Sequence, residues 1–579
     1  MKGLEPTLVT KIQEWLDGNY DDATKTEIRQ RIENEDADWL TDGFYKDLAF
    51  GTGGLRGIMG VGSNRVNKYT LGKATQGFSN FLLEKYADEA QIKVVIAHDC
   101  RNNSDVFAGF TADIFSANGI KVYYFDSLRP TPELSFAIRE LGCHGGVMLT
   151  ASHNPKEYNG YKAYDKHGCQ LVSPEDKAVM DEVQKIASID DIKFNRNTDL
   201  VEVIGTEIDE KFYDALTALS ISKDVIKRQK DLKIVFSPIH GTGGVSVPPV
   251  LERYGFENVT LVEEQMTYDG NFPTVVYPNP EEKEALTLGL AKAKEIDADL
   301  LMATDPDADR VGIAVKNTDG EFVLMNGNQA ASMLILYVLE AWEKAGKLSD
   351  REYIVKTIVT TYMIDAIAAA KGVDCFNVLT GFKYIGDMMT KLEGERYFLA
   401  GGEESYGYLV GEHARDKDAV VACAMLAEMV AYHKDNGSSM YEALLDAYQK
   451  YGFYLERLVS LKREGKKGAD EIQAMLKSLR ETPPVTLGGS KVTMVKDYLT
   501  SESKNMLDGS VEKIDLPSSN VLQFFTENGS IISARPSGTE PKVKFYCSVN
   551  TVLENKADYD KVKVVLDNRL DAILKDLGV

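Results

Sequence analysis

At 579 residues, 44% hydrophobic and 27% charged, the chain has the make-up of a globular protein, and it is longer than one hydrophobic core organises, so three to five domains are expected. The formal net charge is −23, from 66 Lys and Arg against 89 Asp and Glu. Such a balance argues against nucleic acid or an anionic membrane as partner, because both demand a basic footprint, but it leaves room for an anionic small molecule wherever several Arg and Lys converge.

In chain order, the N-terminal "MKGLEPTLVTKIQEWLDG" has no signal-peptide core. The segments "IKVVIAHDCRNN" (92–103), "HGGVMLTASHNP" (144–155), "LKIVFSPIHGTGG" (232–244), "ADLLMATDPDADR" (298–310) and "RYFLAGGEESYG" (396–407) share one layout. Each is an apolar, β-rich run that stops in a polar loop rich in Gly or Asp. Continuous apolar strands predict sheets covered on both faces. Helical patterns lie between them, as in "EALTLGLAKAKEI" (284–296) and "TYMIDAIAAAKG" (361–372), and the alternation predicts α/β domains. Ligands of open α/β sheets bind outside the carboxyl ends of the strands, where these loops fall.

The apolar "MLILYVLEAW" (333–342) is too short to span a bilayer and contains Glu340, so a buried helix is expected and the protein is assigned to the cytoplasm. Cys100, Cys143, Cys169, Cys375, Cys423 and Cys547 form no CxxC pair and are expected as free thiols in a reducing compartment. Polar stretches around 193–209, 315–328 and 449–458 divide the chain into segments 1–205, 206–325, 326–452 and 453–579. The last, with short strands and a closing helix, reads as a smaller α+β domain.

Chemistry concentrates in a few places. "DPDADR" puts Asp305, Asp307 and Asp309 at alternate positions, where three like charges make sense with a hard cation between them. An EF-hand fails here, because its sixth position would be Arg310 and its twelfth Lys316. Mg²⁺, completed by a phosphate oxygen, fits better. Ser152 in "TASHNPKEYNGYK" lacks the G-x-S-x-G elbow of a serine hydrolase, and His153 beside it is poorly placed as a triad base. A serine near a metal and cations suits phosphoryl transfer. "FGTGGLRG" (50–57) and "ARPSGTEPK" (534–542) join glycines to an arginine, a combination that suits phosphate. "TGFKYIG" (380–386), "GGEESYG" (401–407) and "ARDKDA" (414–419) contribute Lys383, Glu403, Ser405, Arg415 and Lys417.

Taken together and in this order, the motifs resemble the α-D-phosphohexomutase superfamily, within it the branch of bacterial phosphoglucomutases and phosphoglucomutase/phosphopentomutases. The resemblance runs nearly end to end; "KEY" before Asn-Gly is a mild departure from the usual pattern. It implies four domains around a central cleft, three of them similar α/β domains with mixed sheets and the fourth a smaller C-terminal α+β domain. It implies that Ser152 carries a mobile phosphoryl group and that Asp305, Asp307 and Asp309 hold Mg²⁺ with the phosphate on Ser152 as a further ligand. Arg56, His153, Lys162, Arg310 and Lys417 would stand near the reacting groups. Glu403 and Ser405 would read the sugar, Thr380, Gly381 and Lys383 would also bind substrate, and Arg535, Ser537, Gly538 and Thr539 would hold the distal phosphate. The implied reaction interconverts glucose 1-phosphate and glucose 6-phosphate through glucose 1,6-bisphosphate. Phosphomannomutase, phosphopentomutase, hexose-bisphosphate synthase and a phosphosugar-binding protein without turnover are the alternatives.

Overall fold

The computed structural model describes residues 1, 3–49, 54–463, 465–537 and 542–579. Among them the strands form four sheets, each drawn from one stretch of chain. The first holds β1 (Gly54–Ile58), β2 (Lys93–His98), β3 (Lys121–Phe125), β4 (Gly145–Leu149), β5 (Tyr158–Asp165) and β6 (Val201–Ile204), in the order β1-β5-β4-β2-β3-β6. The second holds β7 (Ile234–Ser237), β8 (Val259–Leu261), β9 (Leu300–Thr304), β10 (Val311–Lys316) and β11 (Phe322–Met325), ordered β11-β10-β9-β7-β8. The third holds β12 (Glu352–Thr357), β13 (Asp374–Val378), β14 (Tyr397–Gly402) and β15 (Tyr408–Val410), ordered β13-β12-β14-β15.

One unit recurs in all three. Its first strand lies between two parallel partners, and a fourth strand runs antiparallel along the outer one: β3-β2-β4-β5, β8-β7-β9-β10 and β13-β12-β14-β15. Strands β4, β7, β9 and β12 are buried along their whole length, and β2 and β14 are buried after their first residue. Helix cover on both faces explains why their sequences are apolar runs instead of alternating ones. Because the fourth strand turns back on the third, residues 150–157, 305–310 and 403–407 occupy equivalent places at strand carboxyl ends. Each loop carries one non-glycine residue at positive φ: Ser152 at 53°, Ala308 at 49° and Tyr406 at 67°. Such conformations are sterically costly and persist where surrounding contacts impose them.

The fourth sheet is antiparallel: β16 (Phe453–Lys462), β17 (Thr486–Leu487), β18 (Ser490–Asp497), β19 (Glu502–Asn505), β20 (Val511–Lys513), β21 (Leu522–Thr526), β22 (Ile531–Pro536) and β23 (Lys542–Thr551), with β22 and β23 paired along their length and β23 against β16. The helix Tyr559–Asp576 packs behind β16 and β23. One continuous apolar cluster runs from Val95 and Met148 through Phe236, Met302, Ile354 and Leu426 to Phe545 and Leu570, so the four units pack as one body and fix the cleft between them. Ahead of the first sheet, the helix Pro6–Asp17 turns Leu8, Ile12 and Trp15 inward at helical spacing against Phe44 and Tyr69.

The helix Gly327–Lys344, which contains the apolar 333–342 run, is buried along its first three turns. Among the described residues no helix is long and apolar enough to cross a membrane. All six cysteines are unpaired; Cys143, Cys169, Cys423 and Cys547 are buried, Cys100 and Cys375 half-buried.

Candidate active site

Strand β4 ends at Leu149 and delivers the 150–157 loop to the second domain. There the Ser152 hydroxyl donates to Asp305 Oδ2 at 3.0 Å and lies 3.1 Å from His153 Nδ1. The 305–310 turn folds on itself: the backbone N–H groups of Asp309 and Arg310 donate to Asp305 Oδ1 at 3.1 and 3.0 Å. Asp305, Asp307 and Asp309 are fully buried, and one carboxylate oxygen from each lies within 4.8 Å of the others. Lys162 on β5 donates to Asp307 Oδ2 (2.7 Å) and Asp309 Oδ2 (2.9 Å), and Lys417 reaches Asp309 Oδ2 at 2.8 Å.

The electrostatics follow from this crowding. Burial and the like charges of Asp309 and Asp307 push the Asp305 carboxyl well above its ordinary range. Burial also works against ionisation of Asp309, but Lys162, Lys417 and Arg310 outweigh it and hold that carboxyl low. Burial, with the positive charges of Arg310 and Arg56, drives the His153 imidazole well below its usual value. Burial with Glu404 alongside outweighs Lys417 and pushes Glu403 up to about 7.

The donor set suits a hard divalent cation. Asp307 Oδ1 and Asp309 Oδ1 are buried and accept no hydrogen bond among the described residues, a costly state unless something else meets them. Thr380 Oγ1 and Arg310 Nε are likewise buried without a hydrogen-bond partner among the described residues.

Beyond this cluster opens a cavity of about 950 Å³ lined by all four domains, among them His153, Arg310, Glu403, Ser405, Lys417 and Arg535. Arg56, on β1, donates to Asn154 Oδ1 at 2.9 Å in the serine loop. Thr380 and Gly381 line the cavity, and the Gly381 N–H donates to Glu403 Oε1 at 3.0 Å. Arg535 on β22 pairs in register with Lys544 on β23, and Lys462 on β16 with Lys542, so four cations face the cavity from neighbouring strands. Burial and the like charges of Lys542 and Arg535 lower the Lys544 ammonium. The Ser537 N–H donates to the Lys542 carbonyl at 2.7 Å, which closes the base of the β22–β23 connection. Gly538 and Thr539 lie outside the described residues.

Lys383 is placed elsewhere. Its ammonium lies 3.8 Å from Asp176 of the first domain, and Lys383 is not among the residues lining the cavity, whereas Phe382, the first residue of the same helix, is. Neighbouring side chains on a helix point about 100° apart, so the two face different ways. Arg415 is also turned inward, donating to the carbonyls of Glu412 and Ala414.

Several supporting residues carry no motif. Thr131 donates from Oγ1 to Asp307 Oδ2 (3.0 Å) and from its N–H to the Asp307 carbonyl (2.9 Å). Glu281 accepts from Arg310 Nη1 at 2.6 Å. The buried Arg101 guanidinium gathers the carbonyls of Ser152 (2.6 Å), Asn154, Pro155 (2.9 Å) and Tyr158 (3.1 Å), with Asp99 3.3 Å away. The one sequence signal for Arg101 was its position just past a strand's carboxyl end.

Known proteins match most of this chain. Models of the phosphoglucomutase/phosphomannomutase α/β/α domains I, II and III match residues 47–190, 210–320 and 326–451. The chain belongs to the phosphoglucomutase/phosphomannomutase family. A phosphoglucomutase from Staphylococcus haemolyticus is 36% identical over 510 residues, covering 88% of this chain and 91% of that protein. A Schizosaccharomyces pombe protein named probable phosphoribomutase is 34% identical over 569 residues, covering 95% of each. Among solved structures, the Paramecium pp63/parafusin phosphoglucomutase in its open form superposes with a TM-score of 0.66 over 92% of this chain and 96% of that one; at 19% identity this is a likeness of fold. The family's architecture is the one described above: three α/β/α domains with mixed sheets and a C-terminal, β-rich fourth.

Proposed function

We propose that this enzyme interconverts α-D-glucose 1-phosphate and glucose 6-phosphate through a phosphoserine at position 152 and a glucose 1,6-bisphosphate intermediate. The observation that carries this reading is the 3.0 Å contact of Ser152 with Asp305, one of three buried carboxylates, next to a cavity that His153, Arg310 and the cations of the fourth sheet line.

In the forward direction the phosphoryl group on Ser152 Oγ passes to the sugar's free 6-hydroxyl: the P–Oγ bond breaks, a P–O6 bond forms, and the hydroxyl proton goes to His153. Burial keeps that imidazole neutral, while the burial of Lys162 is outweighed by Asp307 and Asp309, which hold it as an ammonium. The bisphosphate then turns around, and its 1-phosphate returns to Ser152. Phosphoryl transfer depends mainly on positioning and charge stabilisation. Asp305, Asp307 and Asp309 would hold a Mg²⁺ ion, which when bound withdraws charge from the transferring group. Lys162, Arg310 and Lys417 add positive charge from this chain. Turnaround needs a second site that holds phosphate without reacting, and Arg535, with Ser537, Gly538 and Thr539, is assigned to it. Glu403 and Ser405, with Thr380 and Gly381 beside them, suit hydroxyls presented alike in both orientations. Arg56 steadies the serine loop through Asn154. Lys383 acts at one remove, through the helix that starts beside Gly381. The six unpaired thiols suit a reducing cytoplasm, and the phosphosugar is the partner assigned.

The match to a protein named phosphoribomutase favours one second reading, activity on ribose 1-phosphate. Ser152→Ala is expected to abolish turnover without lowering Tm, and intact mass should show a phosphate adduct within 145–162 in the wild type only. Near-normal turnover in that variant would end the phosphoserine assignment. Comparing kcat/KM for glucose, mannose and ribose 1-phosphates then names the sugar.

A further inference from the structure

The turn 267–274 of the second domain takes no part in the chemistry above, yet it is held from both sides. Fully buried His240 meets the Thr267 carbonyl through Nδ1 (2.8 Å) and the Thr274 hydroxyl through Nε2 (2.8 Å). A carbonyl oxygen only accepts, so the proton sits on Nδ1. The Thr274 hydroxyl also accepts from Gln265 Nε2 at 3.0 Å. The residues after His240 press on the aspartate loop: the Thr242 N–H donates to the Pro306 carbonyl at 2.8 Å, and a Cβ on Gly241 would stand 2.4 Å from Pro306 Cα.

On its other side the turn meets the first domain. A Cβ on Gly270 would stand 2.2 Å from the backbone nitrogen of Asn102, whose side chain donates to Asn271 Oδ1 at 3.0 Å. Phe272, 1% exposed and at φ 48°, sets its ring 5.0 Å from the guanidinium carbon of Arg101. That guanidinium is the group onto which the serine loop folds its carbonyls.

We propose that Phe272 is a positioning residue: its ring caps Arg101 and, through the turn held by His240 and Gly241, keeps the serine loop in register with the aspartate loop. Nη1 and Nη2 of the guanidinium are taken up by the four carbonyls, and Nε, with no hydrogen bond among the described residues, forms an ion pair with Asp99 Oδ2 at 3.3 Å. The guanidinium carbon sits over the face of the Phe272 ring, an attraction that strengthens away from water. Without the ring the guanidinium can tilt, and the carbonyls that hold Ser152 in its left-handed conformation tilt with it. The kinetic part of this inference rests on the mutase reading; the structural part does not.

Phe272→Leu keeps an apolar side chain and removes the π face. Phe272→Met, flexible enough to fill the same space, carries the test if the leucine variant does not fold. Two measurements are made on the full chain. Hydrogen exchange is expected to rise in the amides of 150–158 while the rest of the first domain is unchanged. With glucose 1-phosphate, kcat is expected to fall about five- to thirtyfold, the rate equivalent of a desolvated cation–π contact, with KM held within about twofold. Faster exchange confined to 267–274, or no change in either measurement, would overturn the proposal. A wild-type chain that turns over no phosphosugar, with exchange at 150–158 still raised in the variant, would sink the mutase reading and leave Phe272 as the positioning residue.

Discussion

Ser152 is held by its neighbours and not by its own preference. Its N–H donates to Thr150 Oγ1 at 2.8 Å, its carbonyl accepts from Arg101, and its φ of 53° is imposed by those contacts. A similar economy operates at Thr131, which fixes Asp307, and at Glu133 two residues on in the same helix. Glu133 is wholly buried, with Arg129 Nε 3.8 Å away and the Ser246 hydroxyl 3.4 Å away. Burial and Asp209 push its carboxyl well above the ordinary range, while Asp209, gripped at both oxygens by Arg129, is held low against the effect of its own burial. Above its unfolded pKa of about 4.5 the unfolded chain has lost a proton that the folded chain keeps. Stability from this site therefore falls as pH rises, until the folded carboxyl itself ionises. Glu133→Gln removes the dependence, so the stability of the variant relative to the wild type is expected to rise with pH from about pH 5 until the folded carboxyl ionises, by on the order of 1 kcal/mol per pH unit, and its relative Tm with it. Parallel Tm curves for the two proteins would refute the assignment.

At the scale of elements, the informative feature is the recurrence of one hairpin-like connection in three sheets. The loop after each third strand brings a different chemical group to one place: a hydroxyl, three carboxylates, and the pair Glu403 and Ser405. Strands placed alike put these loops at matching carboxyl ends, so the division of labour is a consequence of topology. "HGTGG" serves this arrangement by giving way to it. Gly241 is where the helix Gly243–Tyr254 approaches the aspartate loop, and an added methyl would meet the backbone of Pro306 at 2.4 Å, which cannot yield as a flexible side chain would. Gly241→Ala is expected to shift that loop and raise the Mg²⁺ needed for half-maximal activity at least about tenfold, the scale of losses when a metal site's supporting contacts are disturbed. A Mg²⁺ titration of the two proteins checks it, and an unchanged midpoint would mean that the loop is set by other contacts.

At the scale of the whole molecule, an acidic protein builds a cationic wall from one domain. Arg535, Lys544, Lys462 and Lys542 lie on three adjacent strands of the fourth sheet and line the cavity that His153 and Arg310 also line. A charged hydrogen bond to phosphate is worth about 1.5–3 kcal/mol, so Arg535→Gln is expected to cut kcat/KM about ten- to a hundredfold. Distal phosphate is held in ground and transition states alike, so the loss should appear mainly in KM, with Tm unchanged. Equal losses in kcat would instead place Arg535 at the transferring group.

By itself the sequence determined the chemistry that a short run of residues can encode. The apolar strands, the three aspartates of "DPDADR", Ser152 in its loop and the paired glycine and arginine of "RPSG" are local patterns, and the α/β class followed from their alternation with helices. The tertiary structure alone decided what depends on distance. Ser152 meets Asp305 across 153 positions of chain. Thr131, Glu281 and Arg101 act through hydrogen bonds to atoms that only folding brings near, and an arginine whose partners are backbone carbonyls leaves no side-chain signature. Lys383 shows the converse: it lies inside a motif, yet the turn of one helical residue points it at Asp176. Residue type sets what a group can do, and the direction of its bond from the backbone, fixed by packing, sets what it can touch.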